Sequence, residues 1–427
     1  MILDRARRAL LFITLILLTI PGFKGLDLKL GPLPLGRFQP FKFLFMIWLV
    51  AQTSWVVLHY KEFLTGQFRT RRNRTLSISS FSFFLTLALG LLVGDGGPRG
   101  WNIFLSLALG ATAATVTLAD QKFPISTAKK GLIGATVILL VFAFLERLFP
   151  QNPFVFWFLS SVRDGEIYTF QTGSTLTPSA LAEFCIRTLP IFLPVLLIKK
   201  RSTFELLTCV ALSFLLFLTL TRGSLLAWFA MAGFLLLTLA RRNLVSKSAL
   251  IKICALASVG AISLLLWMGP NRVLGRYFGW MIPGNGEAYS VGARNSANER
   301  YLLAKAAWVG ITHEPWTGIG LDGFAYRLDR QLPPFNGVGA PSNHTHNVYL
   351  ELAVSGGVLA LVAFLTLMGS AGYLSLSPFL NLGSLLYLVG VGVSNLFDCR
   401  IYVSWLAITF FWFGALAWRS GLNSPEK

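Results

Sequence analysis

The stretch that decides the fold is residues 205–240, ELLTCVALSFLLFLTLTRGSLLAWFAMAGFLLLTLA. As a single helix it would be about 54 Å long, at about 1.5 Å per residue. The hydrocarbon core of a bilayer is only about 30 Å thick. The chain therefore has to reverse, and the polar tetrapeptide 221–224 is the place in this run that favours a turn. This pattern predicts two membrane-spanning helices joined by a hairpin, with Arg222 at a membrane surface.

The composition of the whole chain agrees with a membrane protein. It has 427 residues, 54% hydrophobic and 13% charged, with a mean hydropathy of +0.64. Soluble domains carry about 25% charged residues, which argues against an ordinary soluble protein. Disorder is excluded because 36 Phe and 12 Trp need burial. We therefore expect an all-α polytopic membrane protein.

Apolar runs along the chain predict twelve spans. The first follows a basic N-terminal start, and we expect it to be uncleaved because Pro21, Phe23 and Lys24 stand where a signal peptide would have small residues. The further runs are 41–58, 79–94, 101–119, 131–149, 183–198, 205–221, 223–240, 250–268, 348–368, 379–397 and 401–418.

The basic residues predict the orientation of these spans. The formal net charge is +19, from 37 Lys and Arg against 18 Asp and Glu. Basic residues recur in alternate short loops, which places both ends of the chain in the cytoplasm. Three regions follow. Residues 1–268 hold spans one to nine, 269–347 form a large, partly helical periplasmic loop, and 348–427 hold the last three spans and a short cytoplasmic tail.

The outer loop carries many of the basic residues that this rule does not explain. Residues 272–282 mix Arg with aromatic and aliphatic side chains, as an interfacial helix does. The Gly- and Asn-rich piece 284–298 predicts a loop. A capping box, Ser296 to Glu299, then predicts a helix that ends before Pro315. Arg300 would lie in its first turn, where unpaired N–H groups and the helix dipole favour an anion.

A Gly-rich piece and a pair of histidines are two further patterns in this region. The Gly-rich piece 318–323 predicts turns rather than a nucleotide-binding loop, because it does not join a clear strand to a clear helix. Residues 343–347, Asn-His-Thr-His-Asn, stand directly before the tenth span. His344 and His346 could bind metal from one face of a strand. The sequence offers no third ligand at convincing spacing, so we predict no metal site. Proton transfer by one histidine and ordinary surface histidines both remain open.

The cysteines carry little information. Cys185, Cys209, Cys254 and Cys399 lie in or beside apolar runs without metal-binding spacing. We expect small buried side chains. A bridge between Cys185 and Cys399 remains open, since both could lie near the same membrane face.

At this point the residues resemble a family. His346-Asn347, nine residues, Gly357, two residues and Ala360 resemble the signature of the O-antigen ligase and O-antigen polymerase superfamily. In that signature His-Asn, nine residues and Gly-x-x-Gly stand at the entry to a late span, and here Ala360 replaces the last Gly. Two upstream pieces are also similar: 221–223, and 298–300 followed by Trp308, Pro315, Gly318, Gly320 and Phe324.

The resemblance implies a GT-C-like membrane glycosyltransferase, acting at the periplasmic face of the bacterial inner membrane. The donor would be a polysaccharide on undecaprenyl diphosphate. The acceptor would be a sugar hydroxyl of lipid A–core for a ligase, or a second lipid-linked repeat for a polymerase. We expect an inverting, metal-independent reaction without cofactors, since no Asp-x-Asp pair is evident. We also expect contacts with membrane lipids, no nucleic acid partner, and a monomer.

The resemblance also implies roles for individual residues. His346 would be the catalytic base, because an attacking sugar hydroxyl benefits from a base that titrates near neutrality. Arg222 and Arg300 would bind the diphosphate, since arginine offers permanent charge and bidentate geometry. The substrate-binding candidates of second rank are Arg163, Arg294, His344 and Asn347.

The two arginines also have simpler explanations. Arg222 could extend to lipid headgroups, and Arg300 could be a surface charge. Glu351 could orient Asn347, but it was not assigned to His346. Asp398 and Arg400 could form a simple hairpin salt bridge. Asp27 in the first outer loop is a rival base.

Three other functions stay open as alternatives. An O-antigen polymerase or a protein O-oligosaccharyltransferase would use the same chemistry on another acceptor, although the latter often has a longer C-terminal extension. A transporter or lipid flippase is less favoured, because the polar candidates crowd the outer face and no similarity between the two halves is visible.

Overall fold

A computed structural model of the protein is almost entirely helical. It describes residues 2–18, 27–30, 33–37, 40–59, 71–94, 99–120, 122–148, 178–194, 202–219, 221–241, 287–324, 344–376, 381–399 and 404–422. These residues hold twelve helices and one antiparallel hairpin of two short strands, β1 (Asp27–Leu30) and β2 (Leu33–Arg37). The helices are α1 (Ile2–Leu17), α2 (Pro40–Leu58), α3 (Arg71–Val93), α4 (Gly100–Ala119), α5 (Ile125–Leu148), α6 (Pro178–Phe192), α7 (Thr203–Leu218), α8 (Arg222–Arg241), α9 (Glu287–His313), α10 (Val348–Leu376), α11 (Leu382–Ser394) and α12 (Ser404–Leu422).

The long apolar run reverses as predicted. Helix α7 ends at Leu218 and α8 begins at Arg222. The two helices then pack side by side, since the indole N–H of Trp228 donates to the Ser213 hydroxyl at 3.0 Å. Arg222 therefore lies at the end of a helical hairpin, where a polar residue avoids the apolar core of a membrane.

The described helices are consistent with a polytopic membrane protein, but fewer than twelve of them are long and apolar enough to cross a membrane. Five of the described helices, α2, α4, α5, α8 and α10, are long and apolar enough to cross a membrane. Apolar stretches of α3, α7 and α11 are shorter. Eleven of the twelve predicted spans coincide with described helices. The remaining span, 250–268, is the ninth along the chain and lies outside the described residues.

One end of the bundle is held by a buried polar network. The Arg7 guanidinium of α1 donates to Gln52 of α2 at 3.0 Å and to the Asp120 carboxylate. The Gln52 amide also donates to Asp120, at 2.9 Å. Arg419 of α12 donates to three carbonyl groups of the segment 117–120. Arg7 and Arg419 were both predicted on the cytoplasmic side, and the structure brings them together around the segment 117–120.

The opposite end brings together segments predicted to lie outside. Arg99, just before α4, pairs with Asp322 at 2.9 Å. The glycines Gly94 and Gly100 on either side of that loop pack against the backbone of Gly320 and Leu321. The described part of the outer loop around residues 319–322 is therefore joined to the helical bundle.

Helix α9 corrects two predictions about the outer loop. The piece 284–298 was predicted to be a loop, but the helix begins at Glu287 and continues to His313. The prediction that a capping box at Ser296 begins the helix is therefore wrong. Arg300 lies inside the helix rather than in its first turn. The predicted end before Pro315 is confirmed. The predicted interfacial helix 272–282 lies outside the described residues.

Helix α10 is broken at Gly357, the glycine of the family signature. Gly357 has φ +72° and ψ 178°, which interrupts the helical hydrogen bonds. The turn 315–320 supplies replacement partners. The Val358 N–H donates to the Pro315 carbonyl at 2.8 Å, and the N–H groups of Ile319 and Gly320 donate to carbonyls of the first half of α10. The predicted turns at 318–323 are thus confirmed, and they supply backbone hydrogen bonds across the break.

Candidate active site

The site begins at the residue that starts α10. The Asn347 side-chain oxygen accepts the N–H groups of Tyr349 and Leu350, at 2.9 and 3.0 Å, as an N-cap does. Its amide donates to the Leu396 carbonyl at 3.2 Å. Asn347, predicted to bind substrate, is thus engaged in fixing the end of α10 against the turn after α11. Asparagine before an apolar helical run is a signal that indicates this capping role from sequence.

A buried carboxylate fixes the turn between the two histidines. The Glu351 side chain, 1% exposed, accepts the Thr345 N–H at 2.8 Å and the Ser355 hydroxyl at 3.4 Å. The sequence left open that Glu351 orients Asn347. In the structure its bond to the Thr345 N–H holds the backbone of Thr345 instead. Because Thr345 stands between His344 and His346, the carboxylate positions both.

His346 has an unusual backbone conformation. Its φ is +55°, a left-handed conformation uncommon for residues other than glycine. Such strain costs on the order of 1–3 kcal/mol and concentrates at functional sites. The turn brings the imidazole rings of His344 and His346 to 4.5 Å between centroids.

Asp398 completes the cluster, and sequence reasoning missed it. Its Oδ1 lies 3.4 Å from His346 Nδ1 and 3.7 Å from His344 Nε2. The predicted partner, Arg400, lies outside the described residues. The turn that carries Asp398 is fixed on α10, since the Val348 N–H donates to the Asn395 carbonyl at 2.9 Å. The contact joins residues far apart in the chain, so no local sequence signal indicates it.

Arg222 lies beside this cluster through its neighbour in the chain. Gly223 packs on the Phe397 side chain so closely that an added Cβ would overlap it. Phe397 directly precedes Asp398. The turn containing Arg222 and the turn containing Asp398 are therefore in contact, and the Arg222 side chain is half-buried there.

Of the other predicted arginines, only Arg300 has a described side chain. Arg300 is exposed on α9, one turn before the side chains that pack α9 on the first half of α10. That packing involves Leu303, Ala307, Ala353 and Val354. The side chain of Arg294 and the whole of Arg163 lie outside the described residues, as does the side chain of the rival base Asp27.

A buried pair of opposite charges on α6 lies next to the site. This pair was also not predicted from the sequence. Glu183 accepts from the hydroxyl of Ser394, at the end of α11. Arg187 Nε lies 3.3 Å from the Glu183 carboxylate, and both side chains are almost fully buried. A Glu and an Arg at i and i+4 on the inner face of an apolar run are a recognisable signal for such a pair. The pair ties the helix before the Asp398 turn to α6.

The arrangement suits two kinds of chemistry. With Asp398 accepting from Nδ1, the other ring nitrogen of His346 is left to accept a proton. The donor atoms of His344, His346 and Asp398 also lie within 4.8 Å of one another, close enough to share a metal ion. The sequence argument that no third ligand exists is therefore wrong.

Two parts of the signature, the turn of Arg222 and the turn of His346 and Asn347, thus contact the same turn after α11. The family comparison agrees with the resemblance. Residues 207–365 match the family described as O-antigen ligase. This confirms the resemblance to the O-antigen ligase and polymerase superfamily. The matched segment runs from α7 to the second half of α10, so it contains Arg222, Arg300 and His346 and excludes Asp398. Among curated proteins, none matches the chain.

The O-antigen ligase match supports three general statements. The described helices are consistent with a polytopic membrane protein, and the matched family has an activity of the ligase or polymerase type. The family implies lipid-linked polysaccharide substrates. The glycine of the signature has a structural explanation in this chain, because Gly357 has a conformation that side chains rarely adopt.

Proposed function

We propose that the protein is an O-antigen ligase. It transfers a polysaccharide from undecaprenyl diphosphate to a sugar hydroxyl of lipid A–core, at the periplasmic face of the bacterial inner membrane. The observation that carries the proposal is the meeting of three distant turns at one end of the bundle. These turns contain Arg222, the pair His344 and His346, and Asp398.

His346 acts as the general base. Asp398 accepts a hydrogen bond from Nδ1–H, which leaves Nε2 to take the proton of the acceptor hydroxyl. The hydroxyl oxygen then bonds to the anomeric carbon, and the bond from that carbon to the diphosphate oxygen breaks. The electron pair leaves with undecaprenyl diphosphate. A single displacement of this kind inverts the anomeric configuration.

Arginine stabilises the charge that develops on the leaving group. Arg222 lies beside the histidine cluster and serves as the first diphosphate ligand. Arg300 is the second, carried by the helix that packs on the same half of α10. Arg163 and Arg294 bind outer parts of the donor. A diphosphate is already a good leaving group, so permanent positive charge replaces a metal ion and the reaction needs no cofactor.

The proposed fold is of the GT-C type with twelve spans and both ends in the cytoplasm. The donor enters sideways from the bilayer, and the loop 269–347 covers the cavity from the periplasm. The two polar ends of the described bundle support this topology, because each gathers segments predicted on one side.

The roles are tested by complementing a ligation-deficient strain with His346→Ala, Arg222→Ala and Arg300→Ala. We expect each variant to abolish or strongly reduce polysaccharide capping of lipid A–core at normal expression. His313→Ala is the matched control, since this exposed histidine of α9 lies outside the cluster. Normal capping by all three variants contradicts the site assignment.

An O-antigen polymerase is the second candidate, favoured by the fact that the family match covers chemistry the two enzymes share. Purified protein given lipid-linked donor with either acceptor distinguishes them. A product on lipid A–core supports the ligase. Elongated undecaprenyl-linked chains without that product support the polymerase.

A further inference from the structure

We infer that His344, His346 and Asp398 form an inhibitory binding site for a divalent transition-metal cation of the zinc type. The binding site stands on the geometry of the three side chains. The inhibition rests on the proposed function, because it follows from the role of His346 as base.

The three donor atoms have separations close to those of a tetrahedral site. Zinc binds histidine nitrogen and carboxylate oxygen at about 2.0–2.2 Å, so neighbouring ligands lie about 3.3–3.5 Å apart. The carboxylate Oδ1 of Asp398 is 3.4 Å from His346 Nδ1 and 3.7 Å from His344 Nε2. The third separation, between the two histidine nitrogens, is at most 4.8 Å.

The site is held in place before any cation arrives. Glu351 fixes the Thr345 backbone between the two histidines, at 2.8 Å. The cap at Asn347 fixes the backbone that follows His346, and the Val348 N–H bond to Asn395 fixes the turn before Asp398. Pre-organisation of this kind lowers the entropic cost of gathering three ligands.

The ligand types and their exposure select the cation. Two imidazoles and one carboxylate suit zinc-like ions, whereas magnesium and calcium prefer sites made of oxygen. The side chains of His344, His346 and Asp398 are 18%, 24% and 20% exposed. The cluster is therefore open enough for a cation to enter and for water to occupy its fourth position.

Binding of the cation and action as a base exclude each other. A cation on Nδ1 of His346 takes the place of the proton that Asp398 accepts, and that proton moves to Nε2. Nε2 then carries a hydrogen and no longer accepts the acceptor's proton. The bound cation also occupies the Asp398 oxygen, so the enzyme is inactive until the metal leaves.

The direct test uses the purified full-length protein with a tag free of histidine, and no substrate. Co²⁺ is the probe, because four-coordinate Co²⁺ absorbs visible light, and Zn²⁺ is then added to compete. We expect one Co²⁺ site that Zn²⁺ displaces. His344→Ala, His346→Ala and Asp398→Asn should each weaken binding by about tenfold or more. His313→Ala should bind as the wild type does.

The inference is overturned if no four-coordinate Co²⁺ signal appears, or if the three variants, folded by thermal melting, bind as tightly as the wild type. Inhibition is measured separately, as loss of glycosyl transfer on adding Zn²⁺ and recovery on adding EDTA. Cation binding by the wild type together with normal transfer by His346→Ala refutes the proposed base and leaves the metal site standing. Loss of transfer in His346→Ala, when the wild type binds no cation, refutes the metal site alone.

Discussion

Asp398 determines, through one carboxylate oxygen, how two histidines are oriented. In the proposed mechanism the Asp398 carboxylate, 3.4 Å from His346 Nδ1, accepts the Nδ1–H and leaves Nε2 to accept a proton. Asp398 also accepts the Cys399 N–H at 2.8 Å, which restricts its own rotation. We therefore propose that the carboxylate is a positioning group that acts on the substrate through His346.

We predict that Asp398→Asn lowers kcat for glycosyl transfer by about 100-fold or more, while KM for the lipid-linked donor changes little. An amide in place of the carboxylate can donate to Nδ1 and stabilise the wrong tautomer, and a correctly placed base contributes about 10²–10⁴-fold. Steady-state kinetics on purified protein measure both constants. A raised KM with unchanged kcat would instead indicate that Asp398 binds substrate.

At this scale the sequence indicated where individual candidate residues lie, but not which residues they contact. Arg222 was located correctly at a turn because an apolar run of such length must reverse. His346 was singled out because a polar pentapeptide directly precedes a span. The contact with Asp398 depends on how α11 packs against α10, and spacing within either segment contains no information about it.

At the scale of elements, the break in α10 joins the outer loop to the site. Gly357 and Gly318 both have positive φ, and each packs directly on the backbone of the other segment. The break ends the first half of α10 after only a few turns. That half carries Asn347 and Glu351, so the loop 315–320 contributes to the rigidity of the histidine turn.

We predict that Gly357→Ala lowers the melting temperature of the purified protein and weakens transfer. An added Cβ would overlap the Trp316 carbonyl oxygen, and the backbone conformation alone costs on the order of 1–3 kcal/mol for other residues. Gly369→Ala on the same helix is the matched control, because an added Cβ there meets nothing within 4 Å. Equal melting temperatures for the two variants would contradict a required break at Gly357.

The prediction for α9 failed for a physical reason. Glycine and asparagine are poor helix formers, so the piece 284–298 indicated a loop and the capping box indicated a later start. In the structure the helix continues through this piece. Local propensity is a weak guide where packing decides, and α9 packs along α10 through Leu303 and Ala307.

At the scale of the molecule, the protein has two chemically distinct ends. The end that holds Arg7 and Asp120 is a buried ionic network without predicted catalytic groups. The other end holds the histidine cluster and the outer loop. The positive-inside rule accounts for the basic residues predicted at the first end. Arg222 and Arg300, predicted at the second end, are the proposed ligands of an anionic donor.

We predict that these two ends lie on opposite sides of the inner membrane. In a background with the native cysteines replaced, His313→Cys should react with a membrane-impermeant maleimide in intact spheroplasts. Lys122→Cys should react only after lysis, because the turn before α5 is predicted to be cytoplasmic. The reverse pattern, or labelling of both positions in intact spheroplasts, would contradict the orientation.

The measurement that tests the central claim most directly is transfer by the purified protein in lipid bilayers. Undecaprenyl-diphosphate-linked polysaccharide and lipid A–core are supplied in EDTA, and the products are analysed for the wild type, His346→Ala and His313→Ala. We predict polysaccharide joined to lipid A–core by the wild type and by His313→Ala, with at least about a 100-fold loss in His346→Ala. Equal product from His346→Ala, or no transfer by the wild type until a divalent metal is added, would contradict a metal-independent reaction in which His346 is the base.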